Sequence, residues 1–271
     1  MRSLSRRLGS QRTRSQLQLI VRLAQRQVAF RYKESSLGMA WGFASPLLLL
    51  ALYGVVFGVI FKNEWIRPDG TKGAYALFIF SGLMIFNLYV EVVNGATALV
   101  QNNAQLIKRT TVSLKTLPFV NIVASLFTFS MSLVSFIVMY ALLEGIPPWT
   151  AVLFPVLLIP LLIVVLAMSL IIASVAAYFR DLQQLIPLAN TAVLFLSPIF
   201  FAGDRLPARL GNIVRYATPL GAILPASKQL LFYGQIPRLA PLALYTAEGI
   251  VMLIVGWWIY GKASKGFADV V

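Results

Sequence analysis

Long apolar runs alternate with short polar segments along the chain. Crossing the hydrocarbon core of a bilayer takes about 20 helical residues at 1.5 Å each. Six runs reach that length, and charges interrupt them only at Glu91 and Glu248. The pattern predicts an all-α membrane protein with six transmembrane helices. The runs are 37–61, 74–100, 116–143, 149–179, 182–202 and 239–260.

A mixed segment separates the fifth and sixth runs. Residues 204–238 are half apolar, contain several prolines and basic residues, and are too polar to span a membrane. The segment is either a surface loop or a broken re-entrant hairpin whose backbone is shielded from lipid by protein. The fold we expect has re-entrant periplasmic helices here, between spans five and six.

The N-terminal arm has helical periodicity. Within 14–33 the apolar residues recur on one helical face, and the basic residues lie toward the other faces. A basic amphipathic helix of this kind is expected to lie along the inner membrane surface. It serves as a topology anchor, as a docking surface for a cytoplasmic partner, or as both. The apolar positions are Leu17, Ile20, Val21, Ala24 and Val28, and the basic ones are Arg14, Arg22, Arg26 and Lys33.

The composition excludes several kinds of chemistry. The chain is 59% hydrophobic and 12% charged, with a mean hydropathy of +0.80, whereas soluble domains are about a quarter charged. It contains no cysteine and no histidine, which excludes disulfides, Cys/His zinc sites and a Ser-His-Asp triad. We therefore expect no catalytic residue and no metal site.

The basic residues predict the orientation. The net charge is +14, and most Arg and Lys residues lie in 1–33, in 101–115, and shortly after the fourth and sixth runs. The positive-inside rule assigns these segments to the cytoplasm, and both termini with them. We expect this charge to face anionic lipid rather than nucleic acid.

One stretch matches the spacing of a phosphate-binding loop. Gly256 is followed by Gly261 and Lys262, but Ala263 replaces the Ser or Thr that would hold magnesium. The stretch also lies at the end of a predicted membrane helix rather than between a strand and a helix. We expect no nucleotide site on this chain.

The first run contains two pairs of glycines spaced four residues apart, Gly38 with Gly42 and Gly54 with Gly58. Small residues at this spacing let two helices approach closely. The pairs fit helix packing within the chain and a homodimer seam equally well.

Few polar groups interrupt the spans. Asn87, Glu91 and Asn94 form one stripe on the second span, and Glu248 lies in the sixth. A charge in the membrane costs at least about 2.5 kcal/mol, so it faces protein or water. These residues are either a paired interhelical hydrogen-bond node or part of a functional site. One or two isolated acids make a poor proton relay, which argues against a proton-coupled carrier.

Aromatic residues stand out in the first and fifth spans. They either fill the core and the lipid-facing surface or stack on sugar rings along a conduit. The candidates are Tyr53, Phe57, Phe61, Phe195, Phe200 and Phe201.

The polar segment 101–110 is compatible with a short helix at a partner interface, and also with a plain connecting loop. Its candidate residues are Gln101, Asn102, Gln105, Lys108 and Arg109.

Several short blocks resemble the ABC-2 type permeases that export polysaccharides. The resemblance covers nearly the whole chain and departs at Thr218, where asparagine is common in that family. The matching blocks are Arg31-Tyr32-Lys33, Ser36-Leu37-Gly38, Trp41, Pro46, Phe179-Arg180-Asp181-Leu182, Leu196-Ser197-Pro198-Ile199-Phe200 and Thr218-Pro219-Leu220.

The resemblance implies a homodimer that binds two copies of a separate ATPase subunit, on which ATP and Mg are held. Such a complex moves a lipid-linked polysaccharide, typically on undecaprenyl pyrophosphate, across the bacterial inner membrane and contacts membrane lipids. The chain would form one ABC-2 transmembrane domain, 1–271. It would comprise a cytoplasmic arm (1–36), six spans (37–260) and a cytoplasmic tail (261–271).

The resemblance also implies roles for individual segments. Spans one and five would line the channel, with Tyr53 in an aromatic belt, and 101–115 would form the cytoplasmic gate and coupling region. The 204–238 segment would close the periplasmic side. The N-terminal helix would meet the ATPase through Arg22, Arg26, Arg31, Tyr32 and Lys33.

Three hypotheses for function therefore remain. The first is the permease subunit of an ATP-driven exporter of an O-antigen-like or capsular polysaccharide, which makes and breaks no covalent bond itself. The second is an ABC-2 permease for a small molecule or drug. The third, a membrane-embedded glycosyl or lipid transferase, needs clustered carboxylates or histidines, and Glu34 and Asp181 are isolated.

Overall fold

The computed structural model describes residues 2–33, 35–62, 65–66, 70, 72–108, 114–200 and 218–270, with side chains from 16 onward except at 106 and 269. These residues are mostly helical, apart from a pair of two-residue antiparallel strands. The helices are α1 (Arg2–Tyr32), α2 (Trp41–Tyr53), α3 (Tyr75–Thr97), α4 (Leu99–Asn102), α5 (Ala104–Lys108), α6 (Leu117–Leu143), α7 (Phe154–Ala176), α8 (Leu182–Leu196), α9 (Ile223–Leu231), α10 (Leu239–Ala263) and α11 (Phe267–Val270), and the strands are β1 (Trp65–Ile66) and β2 (Lys72–Gly73).

Five of the six apolar runs form helical segments that are long and apolar enough to cross a membrane. These segments include short 3-10 or π-helical turns at the ends of α2, α6, α7 and α10. They are Gly38–Ile60, Tyr75–Thr97, Leu114–Leu143, Trp149–Ala176 and Leu239–Gly266.

The fifth run forms the shorter helix α8, which has 15 residues. A residue before proline is driven out of the helical region, and Ser197 accordingly has φ −83° and ψ 147°. The helix therefore ends at Leu196, although the apolar run continues to 202.

Helix α3 is the centre of the bundle. Most of its 23 residues are buried, and it contacts α2, α6, α7, α8 and α9. A helix that is apolar on most sides is found in the core of a large protein or in a membrane. In α2, by contrast, only Gly42, Pro46 and Leu50 are buried.

Glycines allow α7 and α10 to pack closely. A Cβ atom on Gly249 would lie 2.8 Å from Val164 Cγ2, and one on Gly256 would lie 3.0 Å from the carbonyl oxygen of Ala167. Both distances are shorter than ordinary side-chain packing allows. The two helices therefore approach each other at positions seven residues apart on α10.

Helix α1 packs one stripe on α6. Ala24 and Val28 are buried against Val120 and Ala124. The sequence predicts a helix from 14, whereas α1 begins at Arg2 and runs for 31 residues. The buried stripe is also narrower than predicted, because Leu17 and Val21 stay exposed.

The bundle has two distinct ends. At one end, which we call the Leu114 end, the Tyr260 hydroxyl donates to the carbonyl of Leu114. At the same end the Tyr178 hydroxyl donates to the carbonyl of Ala263, and α11 contacts α5. At the opposite end, the Trp65 end, Trp65 Nε1 donates to the Tyr233 hydroxyl. The C-terminal helix and the 101–108 segment thus share one end.

Part of the mixed segment is helical and buried. Helix α9 has nine residues, most of them buried, and the Thr150 hydroxyl donates to the carbonyl of Leu230. A plain surface loop is therefore wrong for this part, because its apolar residues pack against α3 and α7. Residues 204–217 lie outside the described residues.

Candidate functional site

A row of aromatic rings lies along the first span and contacts α3 and the residues that follow α8. The ring centroids of Tyr53 and Phe57 are 6.2 Å apart, and those of Phe57 and Phe61 are 5.9 Å apart. Phe57 also contacts Tyr75 at 5.9 Å and Phe200 at 6.5 Å. The helical spacing of four residues explains the row, and the contact with Phe200 joins the first span to the residues that follow α8.

The structure separates the remaining aromatic candidates. Phe195 is 69% exposed and has no ring contact with any aromatic residue in the described part of the chain. Phe195 lies on α8, whereas Phe200 follows the extended Ser197 beyond the end of that helix, so the two residues do not share a helical face. Phe201 lies outside the described residues.

The outer face of the first span is open. Its glycines have different surroundings. A Cβ on Gly42 would collide with Met131 Sδ, whereas a Cβ on Gly54 or Gly58 would meet no atom within 4 Å. Gly38, with φ +51°, begins the short 3-10 helix that opens the first span ahead of α2. Packing within the chain therefore accounts for Gly42, and the face carrying Gly54 and Gly58 is uncovered.

Glu91 is an interhelical node. Arg31 Nη1 donates to Glu91 Oε1 over 2.5 Å and to Thr128 Oγ1 over 3.1 Å, and Thr128 Oγ1 lies 3.3 Å from Glu91 Oε1. The node joins α1, α3 and α6. The sequence suggests a paired acid here, but the partner lies 60 residues away and no sequence pattern pointed to it.

The other intramembrane polar residues differ in their surroundings. Asn190 Nδ2 donates to Asn94 Oδ1 over 2.8 Å, which joins α8 to α3, whereas Asn87 is exposed. Glu248 is exposed beside Val251 and forms no ion pair with a residue that the structure describes.

The polar segment after the second span is helical through Lys108, so the predicted short helix is confirmed. Gln183, near the start of α8, donates to Gln101 Oε1. Asn102, Gln105 and Lys108 are exposed, and Arg109 lies outside the described residues. The segment therefore touches α8 and presents its other polar side chains outward.

The exposed side of α1 combines cations with an aromatic ring. The guanidinium of Arg26 and the ammonium of Lys33 lie 5.4 Å and 5.7 Å from the ring centroid of Phe30. Arg22 is exposed, and a Cβ on Gly42 would lie 3.4 Å from the Tyr32 hydroxyl. Tyr32 therefore faces the first span, while Arg22, Arg26 and Lys33 are available to a partner or an anionic surface.

A buried lysine was missed by the sequence analysis. Lys228 is 5% exposed, and its ammonium donates to the carbonyls of Pro198 and Ile199 over 2.9 Å and 3.0 Å. It also lies 4.1 Å from the ring centroid of Phe78. Burial lowers the pKa of Lys228 to about 7. The signal that marks it in the sequence is a single charge among the apolar residues of α9.

The stretch that resembles a phosphate-binding loop lies within α10. Its backbone N–H groups therefore belong to a helix, and Gly256 is buried against α7. In the described residues no group of three or more acidic side chains is placed to hold a metal ion.

Comparison with known proteins identifies the class of this helical membrane protein. Residues 18–232 match the ABC-2 type transporter family, and the chain belongs to that family.

Two relatives share most of its length. The chain is 25% identical over 255 residues to the O-antigen export system permease protein RfbA of Klebsiella pneumoniae, covering 93% of this chain and 95% of that protein. It is 27% identical over 252 residues to the O-antigen export system permease protein RfbA of Myxococcus xanthus, covering 93% and 94%. These matches cover most of the chain, in agreement with a multi-pass membrane permease.

Proposed function

We propose that this chain is the transmembrane subunit of an ATP-driven exporter that moves a lipid-linked polysaccharide, O-antigen-like or capsular, across the bacterial inner membrane. The observation that carries the proposal is its similarity to O-antigen export permeases over 93% of its length. The aromatic row from Tyr53 to Phe61, joined to Phe200, supplies apolar ring faces on which sugars stack.

Six spans are supported by the course of α8. Gln183 at its start pairs with Gln101 at the Leu114 end, and the Tyr75 hydroxyl donates to the carbonyl of Phe200 at the other end. Helix α3 runs between those same two levels in the opposite direction. Residues 182–200 therefore cover the same depth as α3, although α8 alone is only about 22 Å long. An even number of spans puts both termini on one side, the cytoplasmic side by the positive-inside rule.

A homodimer is supported by the uncovered face of the first span. A face with large exposed apolar side chains and open glycines fits a second membrane helix. Leu52, Val55 and Val59 are more than half exposed there, beside Gly54 and Gly58. A channel between two copies would place both aromatic rows along one path.

ATP and Mg are assigned to a partner ATPase, present in two copies. The phosphate-loop-like stretch of this chain is helical, and helical backbone N–H groups cannot surround a phosphate. The surfaces offered to the partner are α1 and the segment 101–108. Helix α1 is joined to α3 through Glu91, and 101–108 is joined to α8 through Gln183. Movements of the partner would therefore be transmitted to α3 and α8, which adjoin the aromatic row.

Two features fit the lipid-linked substrate. The proposed sugar path along the aromatic row has few charged residues, which suits a neutral sugar chain better than an ion. Arg26 and Lys33, at the C-terminal end of α1, both lie within 6 Å of the Phe30 ring centroid. There they would meet the pyrophosphate of an undecaprenyl carrier or the headgroups of anionic lipids.

The proposal is tested in bacterial cells whose own copy of the chain is deleted. The tagged chain, expressed with its ATPase, should copurify with that subunit and restore polysaccharide at the cell surface. A hydrolysis-deficient ATPase should assemble normally but leave the lipid-linked polymer inside. Normal surface polysaccharide in the deletion strain would contradict the proposal.

The same strains separate the two other hypotheses. An ABC-2 permease for a small molecule would restore resistance to a compound without changing surface polysaccharide. A transferase would turn over a sugar or lipid donor as an isolated chain in liposomes. The carboxylate of Glu91 is engaged in a structural node with Arg31, which does not favour the transferase.

A further inference from the structure

The connection that leaves α8 is held by side chains from two other helices. Lys228 of α9 donates to the carbonyls of Pro198 and Ile199 over 2.9 Å and 3.0 Å. The Tyr75 hydroxyl of α3 donates to the next carbonyl, that of Phe200, over 2.8 Å. Three consecutive carbonyls beyond the end of α8 thus accept hydrogen bonds from side chains of other helices.

The ammonium group is costly at this place. Lys228 is 5% exposed and forms no ion pair with a carboxylate that the structure describes. Its compensation comes from two carbonyl dipoles and from the face of Phe78, 4.1 Å away. A methionine would fill similar volume without a buried charge. Unlike methionine, the lysine donates hydrogen bonds to two adjacent carbonyls.

These two hydrogen bonds affect the position of one ring of the aromatic row. Phe200 directly follows the two carbonyls, and its ring lies 6.5 Å from that of Phe57. Phe57 in turn contacts Tyr75 at 5.9 Å. The position of the Phe200 ring therefore depends on how the backbone at 198–200 is fixed.

We infer that Lys228 is a positioning residue, which keeps the Phe200 ring against Phe57 by holding the carbonyls of Pro198 and Ile199 at the Trp65 end of the path. The importance of this contact for export rests on the proposed function, whereas the positioning itself does not. The two statements are separable by experiment.

The experiment uses the absence of cysteine from the chain. Phe57→Cys and Phe200→Cys are combined in the coexpressed complex, a short thiol cross-linker is added in native membranes, and the linked peptides are quantified by mass spectrometry. The control pair, Phe119→Cys with Trp257→Cys, replaces rings that are 6.2 Å apart between α6 and α10.

Lys228→Met should lower the linkage between positions 57 and 200 by about fivefold, the order of population change that a lost buried hydrogen bond brings. The control pair should keep its linkage. Lys228→Arg, which still donates to two carbonyls, should restore most of the linkage. Tyr75→Phe removes only a hydroxyl and should lower it by a smaller factor.

Unchanged linkage in Lys228→Met would overturn the inference. If that variant does not accumulate in the membrane, unchanged linkage in Tyr75→Phe would overturn the claim that these donors position Phe200, and lowered linkage would support it. Surface polysaccharide is scored in parallel for Lys228→Met without the cysteines. Lowered linkage with normal surface polysaccharide would support the positioning and contradict the path proposed for Phe200.

Discussion

The ion pair between Arg31 and Glu91 allows a quantitative test of how α1 is attached to the bundle. The side chain of Glu91 is 20% exposed and that of Arg31 is 40% exposed. Removing one partner of a fully buried pair costs about 3–5 kcal/mol, and exposed pairs contribute about 0–1 kcal/mol. For this half-buried pair we expect Arg31→Ala to cost about 2 kcal/mol, since it leaves a carboxylate unpaired between helices.

The double variant isolates the interaction. Glu91→Gln removes the charge that needs a partner, so Arg31→Ala combined with Glu91→Gln should be less destabilised than the sum of the two single changes. For a chain of this size about 2 kcal/mol corresponds to roughly 4–8 °C in the apparent Tm. The Tm is measured on the purified complex in nanodiscs at a fixed scan rate, because membrane complexes often unfold irreversibly.

An additive result would refute this reasoning. If the Tm change of the double variant equals the sum of the single changes, the two side chains do not stabilise each other. Thr128→Val is a further check, because it removes a hydroxyl that contacts both charged groups. It should lower the Tm by less than Arg31→Ala does.

Two further predictions concern glycines. Gly256→Leu should lower the Tm or prevent accumulation in the membrane, since a Cβ there would lie 3.0 Å from the Ala167 carbonyl oxygen and overpacking costs about 1–3 kcal/mol. The control Gly261→Leu, at a position where a Cβ would meet no atom within 4 Å, should have little effect on the Tm. Equal effects of the two variants would contradict the packing of α7 on α10. Gly54→Cys should cross-link two copies of the chain in native membranes, and the linked dimer is detected on denaturing gels; the buried Gly42→Cys should not cross-link. Cross-linking through Gly42→Cys but not through Gly54→Cys would exclude the proposed dimer face.

The long helices could be predicted from the sequence because their signal is local. Five apolar runs formed helical segments of spanning length, and the fifth run formed the 15-residue helix α8. Its end at Leu196 is also a local effect, caused by Pro198 after Ser197. The helical segment 101–108 was predictable in the same way from its polar but helix-compatible residues.

The contacts that define the site could not be predicted, because they join distant parts of the chain. Glu91 was identified as a polar residue in a span, but its partner Arg31 lies on the N-terminal arm. Lys228 was passed over because one lysine in a mixed segment resembles a surface residue. Only the packing of α9 against α3 and α7 shows that its charge is inside the protein.

The measurement that tests the central claim most directly is surface polysaccharide in cells that carry Tyr53→Ala, with Tyr53→Phe as the matched control. Tyr53 begins the aromatic row, and its ring lies 6.2 Å from that of Phe57. Assembly with the ATPase and the ATPase activity of the purified complex are measured on the same variants. We expect Tyr53→Ala to lose surface polysaccharide while keeping assembly and ATPase activity, and Tyr53→Phe to keep all three. Normal surface polysaccharide in Tyr53→Ala would contradict an aromatic path for sugar along the first span.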